Sequence, residues 1–230
     1  MKKQVFMWLS IAMFALFIIW TILVGTVDKE VIYNHTSLGF SHLNQQFGDL
    51  ATNFGKYQSM RTISDILLYA SIAYSVVLVV IAVIELIKHK SLKKVNPLFY
   101  FLAGAYVLIA ILYVLFELVP VNYSPESSLN ALKVSYPSTH VFVGGSLYLL
   151  NSYVLLKFLT IKLDIFKTMI HLSTVVLSLL LVLARMLSVK HWLTDIIGAV
   201  ILALAVYFLL IGLCRWLIPN ETKEELFQEE

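Results

Sequence analysis

The sequence predicts an all-α integral membrane protein, a six-helix bundle with an amphipathic interfacial helix between the first two spans. Three observations carry this prediction. Of 230 residues, 60% are hydrophobic and 13% charged, a balance far too apolar for a soluble domain. Six continuous apolar runs, approximately 4–25, 63–87, 97–119, 140–160, 167–187 and 194–217, reach the roughly 20 residues that a helix needs to cross the hydrocarbon. None of the runs shows strand-length alternation, so each reads as a helix that satisfies its own backbone inside the bilayer.

The elements follow in chain order. The first run begins after Lys2 and Lys3 but is long and ends Leu-Val-Gly-Thr-Val without a small-x-small cleavage site, so it is expected to be a retained span. Between the first two spans, Phe40, Leu43, Phe47, Leu50 and Phe54 recur at three- and four-residue steps, with Gln45, Gln46, Asp49 and Asn53 between them. This is an amphipathic helix, either packed on the bundle or lying in the outer interface, and the two placements are compatible. Gly144, Gly145 and Ser146 in the fourth span, and Gly198 and Ala199 in the sixth, are expected to let helices approach closely. His171, inside the fifth run, is expected to face the bundle as a neutral core residue. His35 and His42 stand apart from any cluster of ligands, so no metal site is expected there. The single cysteine, Cys214, excludes an intramolecular disulfide. Asn34, Asn122 and Asn220 match the short glycosylation pattern, which arises by chance, and are discounted. Residues 1–218 read as one six-span domain and 219–230, with five glutamates and one lysine, as an acidic cytoplasmic tail.

Orientation follows the basic residues. With a cytoplasmic N-terminus, the inner segments hold eleven of the seventeen Lys and Arg residues. Both termini are then cytoplasmic, and the segments 120–140 and 185–193 share the outer face. The net charge of +3 consists of such topology markers, and no basic stripe with interleaved aromatics suggests nucleic acid. Oligomeric state is not legible.

Two strings on that shared face carry chemistry: Pro137-Ser138-Thr139-His140, and Arg185 followed by His191 and Asp195 in the spacing Arg-x5-His-x3-Asp. They assemble two imidazoles, a guanidinium, hydroxyls and a carboxylate at helix ends, a set suited to a phosphate. On a helix starting near His191, Asp195 lies one turn on and is expected to hold one ring nitrogen, freeing the other to attack. The apolar run after Ser138 starts with unpaired backbone N–H groups that favour an anion. Arg185 adds a planar, permanently charged fork.

These strings resemble the type 2 phosphatidic acid phosphatase family, whose pattern is Lys-x6-Arg-Pro, then Pro-Ser-Gly-His, then Ser-Arg-x5-His-x3-Asp. The second and third blocks match at Pro137, Ser138, His140, Arg185, His191 and Asp195. The resemblance implies that His191 is the nucleophile that becomes phosphorylated, that Asp195 orients it, and that His140 protonates the leaving oxygen. It implies that Ser138 and Arg185 hold the phosphoryl oxygens and that neither metal nor other cofactor takes part, while Thr139 keeps the backbone N–H of the family Gly and adds a hydroxyl donor as a further phosphate-binding candidate. The first block is degenerate. Counting back from Pro125 places Ser124 and Glu117 where the pattern has Arg and Lys; Thr139 replaces a Gly, and Ala184 replaces a Ser. Lys133 and Lys190 are the candidate substitute cations. Two functions stay open on this reading: a phosphohydrolase acting on a lipid phosphate drawn from the bilayer, or a relative that binds lipid phosphates or a membrane partner without turnover.

Overall fold

The computed structural model describes residues 4–33, 36–127, 131–159 and 164–218. Lys2, Lys3, Asn34, His35, Lys162 and the acidic tail lie outside the described residues. Seven α-helices run in order: α1 Val5–Thr26, α2 Ser41–Asn53, α3 Tyr57–His89, α4 Pro97–Leu118, α5 Thr139–Phe158, α6 Asp164–Met186 and α7 Leu193–Leu217. All but α2 are long and apolar enough to cross a membrane. The chain is a multi-pass membrane protein, and its spans begin and end within a few residues of those expected, with one exception.

That exception is α3, which starts at Tyr57 rather than near 63. Its 33 residues at 1.5 Å each extend about 50 Å, well beyond the roughly 30 Å of hydrocarbon. The excess lifts Arg61, Ser64 and Asp65 over the end of the bundle where α5 begins and α6 ends. A short antiparallel hairpin, β1 Glu30–Tyr33 with β2 Thr36–Leu38, was not foreseen. It returns the chain to the end of α1, where a Cβ on Gly39 would sit 1.7 Å from the Val24 carbonyl oxygen, so only glycine fits.

Helices α5 and α7 form the interior, with more than half of their apolar stretches buried, and α1, α3, α4 and α6 surround them. Small residues set these contacts. A Cβ on Gly144 would come 2.6 Å from Leu181 of α6, and one on Gly198 would come 2.7 Å from the Tyr136 ring. Tyr136 in turn stacks on Phe17 and shares a 2.7 Å hydrogen bond with Thr21, tying α1 to the segment before α5. Helices α3 and α4, although consecutive, barely touch, and the space between them is a side-facing cleft. His171 is a correction: it is exposed, because no residue of 164–173 in α6 is fully buried and the buried face begins only at Thr174.

Helix α2 shows how an amphipathic segment can pack by its polar edge. Leu43, Leu50 and Phe54 are exposed, whereas Ser41, Asn44 and Ala51 are buried. The anchor is Asn44, fully buried, whose Nδ2 donates to the Gly39 carbonyl (2.8 Å) and to Thr194 Oγ1 (2.9 Å) while its Oδ1 accepts from the Thr194 backbone N–H (3.2 Å). Asn44→Ala leaves the Thr194 N–H, in the first turn of α7, without a partner, so a destabilisation of about 1–3 kcal/mol is expected. Thermal unfolding in detergent should show a clear drop in midpoint for Asn44→Ala and none for Asn53→Ala, on the exposed side of the same helix.

Candidate active site

The two strings meet at one end of the bundle. Ser138 is the N-cap of α5 and fully buried, and its backbone N–H donates to the Asp195 carbonyl at 3.0 Å, joining the starts of α5 and α7 directly. Its Oγ is buried without a hydrogen-bond partner. Thr139 opens α5 with ordinary helical backbone, so a β-branched residue is accommodated there without strain.

Arg185 reaches this point from the last turn of α6 and is 4% exposed. One guanidinium nitrogen lies 2.8 Å from His191 Nε2, and the other donates to Ser64 Oγ at 3.3 Å and stands 3.8 Å from Asp65. His191 sits in the connection between α6 and α7, and its Nδ1 is 2.9 Å from the Ser135 carbonyl oxygen. A carbonyl can only accept and a guanidinium can only donate, so one neutral tautomer satisfies both contacts: Nδ1 carries the proton and Nε2 offers its lone pair toward Arg185. Burial, then the Arg185 charge, hold the His191 imidazolium pKa well below its usual value, with Lys190 acting in the same direction. The ring is therefore neutral at neutral pH.

The expected contact between Asp195 and the ring is replaced by another. Asp195 Oδ2 is 3.9 Å from His191 Nδ1, beyond hydrogen-bond range. The reason is where α7 starts. Trp192 is the N-cap and Leu193 the first helical residue, so His191 precedes the helix and Asp195 is its third residue. Its Oδ2 turns back to accept from the Trp192 N–H at 3.0 Å, and its Oδ1 accepts from Asn122 Nδ2 at 3.0 Å. The Ser135 carbonyl fixes the ring instead. Asn122 is fully buried, which also leaves no room for a glycan.

His140 is in the first turn of α5, 23% exposed, and its Nε2 lies 2.9 Å from Asp65 Oδ1 of α3. Of the two candidate cations, Lys190 comes within electrostatic reach of His191. Lys133 is exposed, and its backbone rather than its ammonium makes the local contacts. Glu117 is exposed at the end of α4, and Ser124 is a buried brace whose Oγ donates to the Lys190 carbonyl at 2.9 Å. Neither position offers a cation. Arg61 of α3 clamps this face instead, pairing with Glu126 at 2.6 Å and donating to the Ser188 carbonyl at 2.9 Å. Sequence reasoning missed Arg61, Ser64, Asp65 and Asn122. A carboxylate inside the second apolar run was a signal for Asp65, since ionisable residues there seldom lack a role.

Together these groups offer a neutral imidazole whose unprotonated Nε2 accepts from Arg185, a buried guanidinium, an unpartnered hydroxyl and a second imidazole, all within one polar cluster. That set can hold a tetrahedral oxyanion and attack it. Two residues before His191, Val189 has φ +57°, in the left-handed region that a β-branched side chain resists. The strain is worth about 1–3 kcal/mol. Val189→Gly should therefore raise the unfolding midpoint in detergent, and Val189→Ala should raise it less.

The PAP2 superfamily profile matches residues 69–218, which include both strings and begin just beyond Asp65. No curated protein matches the chain. Among solved structures, the chain resembles the crystal structure of the first transmembrane PAP2 type phosphatidylglycerolphosphate phosphatase from Bacillus subtilis, with a TM-score of 0.63 and 19% identity over 91% of this chain and 97% of that one. By the extent of the matched profile, which takes in five of the six apolar helices wholly or in part together with both motif strings, the chain belongs to the PAP2 superfamily.

Proposed function

We propose that this protein is a membrane lipid phosphate phosphohydrolase working through a phosphohistidine at His191. The observation that carries the reading is the His191 tautomer, with Nε2 unprotonated and turned toward the buried Arg185 guanidinium, where a phosphoryl group would be held in reach of attack. His191 attacks phosphorus in line. Arg185, Ser138 Oγ and the backbone N–H groups of Thr139 and His140 stabilise the equatorial oxygens, and Lys190 adds positive potential in place of the first-block cations. His140 protonates the leaving oxygen, and water then releases inorganic phosphate. Asp195, 3.9 Å from Nδ1, favours the positive charge that develops on the ring while it braces the start of α7. The chain's own residues account for each step, and the proposed chemistry calls for no metal.

The substrate is drawn from the bilayer. A cavity of about 440 Å³ opens off Thr139 and His140 between α3, α4 and α5, and its wall includes Leu68, Ile72, Ile109 and Tyr113. Ile72 and Tyr113 are exposed on the lipid side, so an amphiphile can slide in with its phosphate toward His140 and its chains among apolar side chains. Phosphatidate, a phosphatidylglycerol phosphate and a polyprenyl diphosphate share this chemistry. The site lies on the outer face, and α2 rests in the interface beside it with Leu43, Leu50 and Phe54 toward lipid.

Purified protein in detergent with chelator present should release phosphate from a panel of these lipids, and acid-labile, base-stable phosphate should accumulate on the chain during turnover. His191→Ala should abolish both. Asp195→Asn should slow turnover by less than the roughly 10⁴-fold lost when a carboxylate bonded directly to the ring is removed. No release across the panel from folded protein would leave binding without turnover as the function.

Because attack needs neutral His191 and its pKa is depressed, the acid limb of kcat/KM that belongs to His191 should lie below about 6.5. An acid limb centred at or above 6.5 and assigned to His191 would contradict the buried, cation-flanked ring. For sidedness, a cysteine at the exposed Ala131 in a Cys214→Ala background should react with an impermeant maleimide in intact cells, and one at Lys93 only after permeabilisation. The reverse pattern would place the site on the inner face.

A further inference from the structure

We propose that Asp65 is the positioning residue of His140, fixing its ring so that Nδ1 is the nitrogen that hands a proton to the leaving oxygen. This rests on the phosphohydrolase reading above and names a residue outside both strings and outside the matched profile. The geometry is specific. Asp65 Oδ1 lies 2.9 Å from His140 Nε2, an interaction between residues 75 positions apart. A carboxylate accepts only, so Nε2 must carry a hydrogen and the proton that exchanges must be the one on Nδ1. His140 Nδ1 is buried and has no hydrogen-bond partner, and the residue lines the cavity between α3, α4 and α5 through which a substrate would come. The long outer end of α3 is what makes the contact, since a helix starting near 63 would leave Asp65 in an unwound first turn.

In the first half-reaction the His191 Nε2–P bond forms as the P–O bond to the leaving group breaks. The proton on His140 Nδ1 passes to that oxygen, giving a neutral alcohol and a neutral imidazole. In the second half, water attacks phosphorus, its proton goes to His140 Nδ1, the N–P bond breaks, and inorganic phosphate leaves with His140 protonated again. Asp65 stays ionised and hydrogen-bonded to Nε2 throughout, in the orienting role of a third residue in a relay.

Asp65 also lies 3.8 Å from Arg185, so a role in merely balancing that cation must be separated from the one proposed. Leaving groups separate them. An alkyl phosphate leaves as a strongly basic alkoxide and needs the acid, whereas p-nitrophenyl phosphate leaves as a weak base and does not. Both substrates need Arg185. In Asp65→Asn, kcat/KM for an alkyl phosphate lipid should fall on the order of 10–100-fold, the worth of one charged hydrogen bond, while kcat/KM for p-nitrophenyl phosphate changes by less than about threefold. Asp65→Glu should recover part of the loss. An equal fall on both substrates, or no fall on either, overturns the proposal. A readout free of turnover is the ¹⁵N spectrum of histidine-labelled protein in detergent, with His140 assigned through His140→Gln. At a pH where the ring has lost its Nδ1 proton, Nε2 should be the protonated nitrogen in the native chain, and Asp65→Asn should mix the tautomers. Unchanged His140 signals in Asp65→Asn overturn the proposal even in protein without phosphatase activity, whereas absent phosphate release with the tautomer shift present defeats only the phosphohydrolase reading.

Discussion

Everything at the end of this bundle where α5 and α7 start depends on burying one carboxylate. Asp195 has no solvent access, and an ionised group in such a place must be surrounded by donors or not exist as a charge. The chain satisfies it from the Trp192 backbone and from Asn122, which arrives from the segment between α4 and α5, while the Asp195 carbonyl takes the Ser138 N–H. The two ends of the segment between α4 and α5 therefore converge on the start of α7. Ser135 and Ser138 are placed by that convergence, His191 is oriented by Ser135, and Arg185 is met by His191. Thr194, next to Asp195, extends the same junction to α2 through Asn44.

The parts legible in the sequence are those governed by local rules. Span length and hydropathy are properties of contiguous residues, so six helices could be placed from composition alone, and the two motif strings are short enough to be read as units. What failed was the prediction of exact starts. Placing the beginning of α7 near His191 made Asp195 an in-helix neighbour of the ring. Placing it at Leu193 makes Asp195 a capping residue and hands the ring to a carbonyl 56 positions away. The start of α3 was misjudged for a similar reason: Tyr57 to Thr62 are polar enough to resemble a loop, although they continue the helix and carry Arg61 and Asp65 to the site. The direction of α2 was undecidable from periodicity, since a stripe of Leu and Phe suits lipid as well as protein. The buried Asn44 settles which edge meets the bundle.

The missing first-block cations change how charge is supplied rather than whether it is present. Arg185 is the one deeply buried cation of the cluster, and its surroundings, Ser64 and Asp65 on α3, hold it without neutralising it by a close ion pair. Arg61 spends its charge on Glu126 and its Nε–H on Ser188, so it acts as a strap over the site rather than a phosphate ligand. A site assembled in this way draws its positive potential from one guanidinium, one lysine and two helix starts.

The open side of the cavity between α3 and α4 has a kinetic meaning. A reactant that arrives through that side is counted per unit area of membrane, not per unit volume of water. Its concentration is its mole fraction among neighbouring lipids, so adding inert lipid or detergent at constant bulk substrate dilutes it and slows encounter. A water-soluble phosphate ester gains nothing from the bilayer and must compete from the aqueous side. On the proposed reading, the wall of Ile72 and Tyr113 would select among phosphates by how they partition, before any group in the polar cluster has touched one.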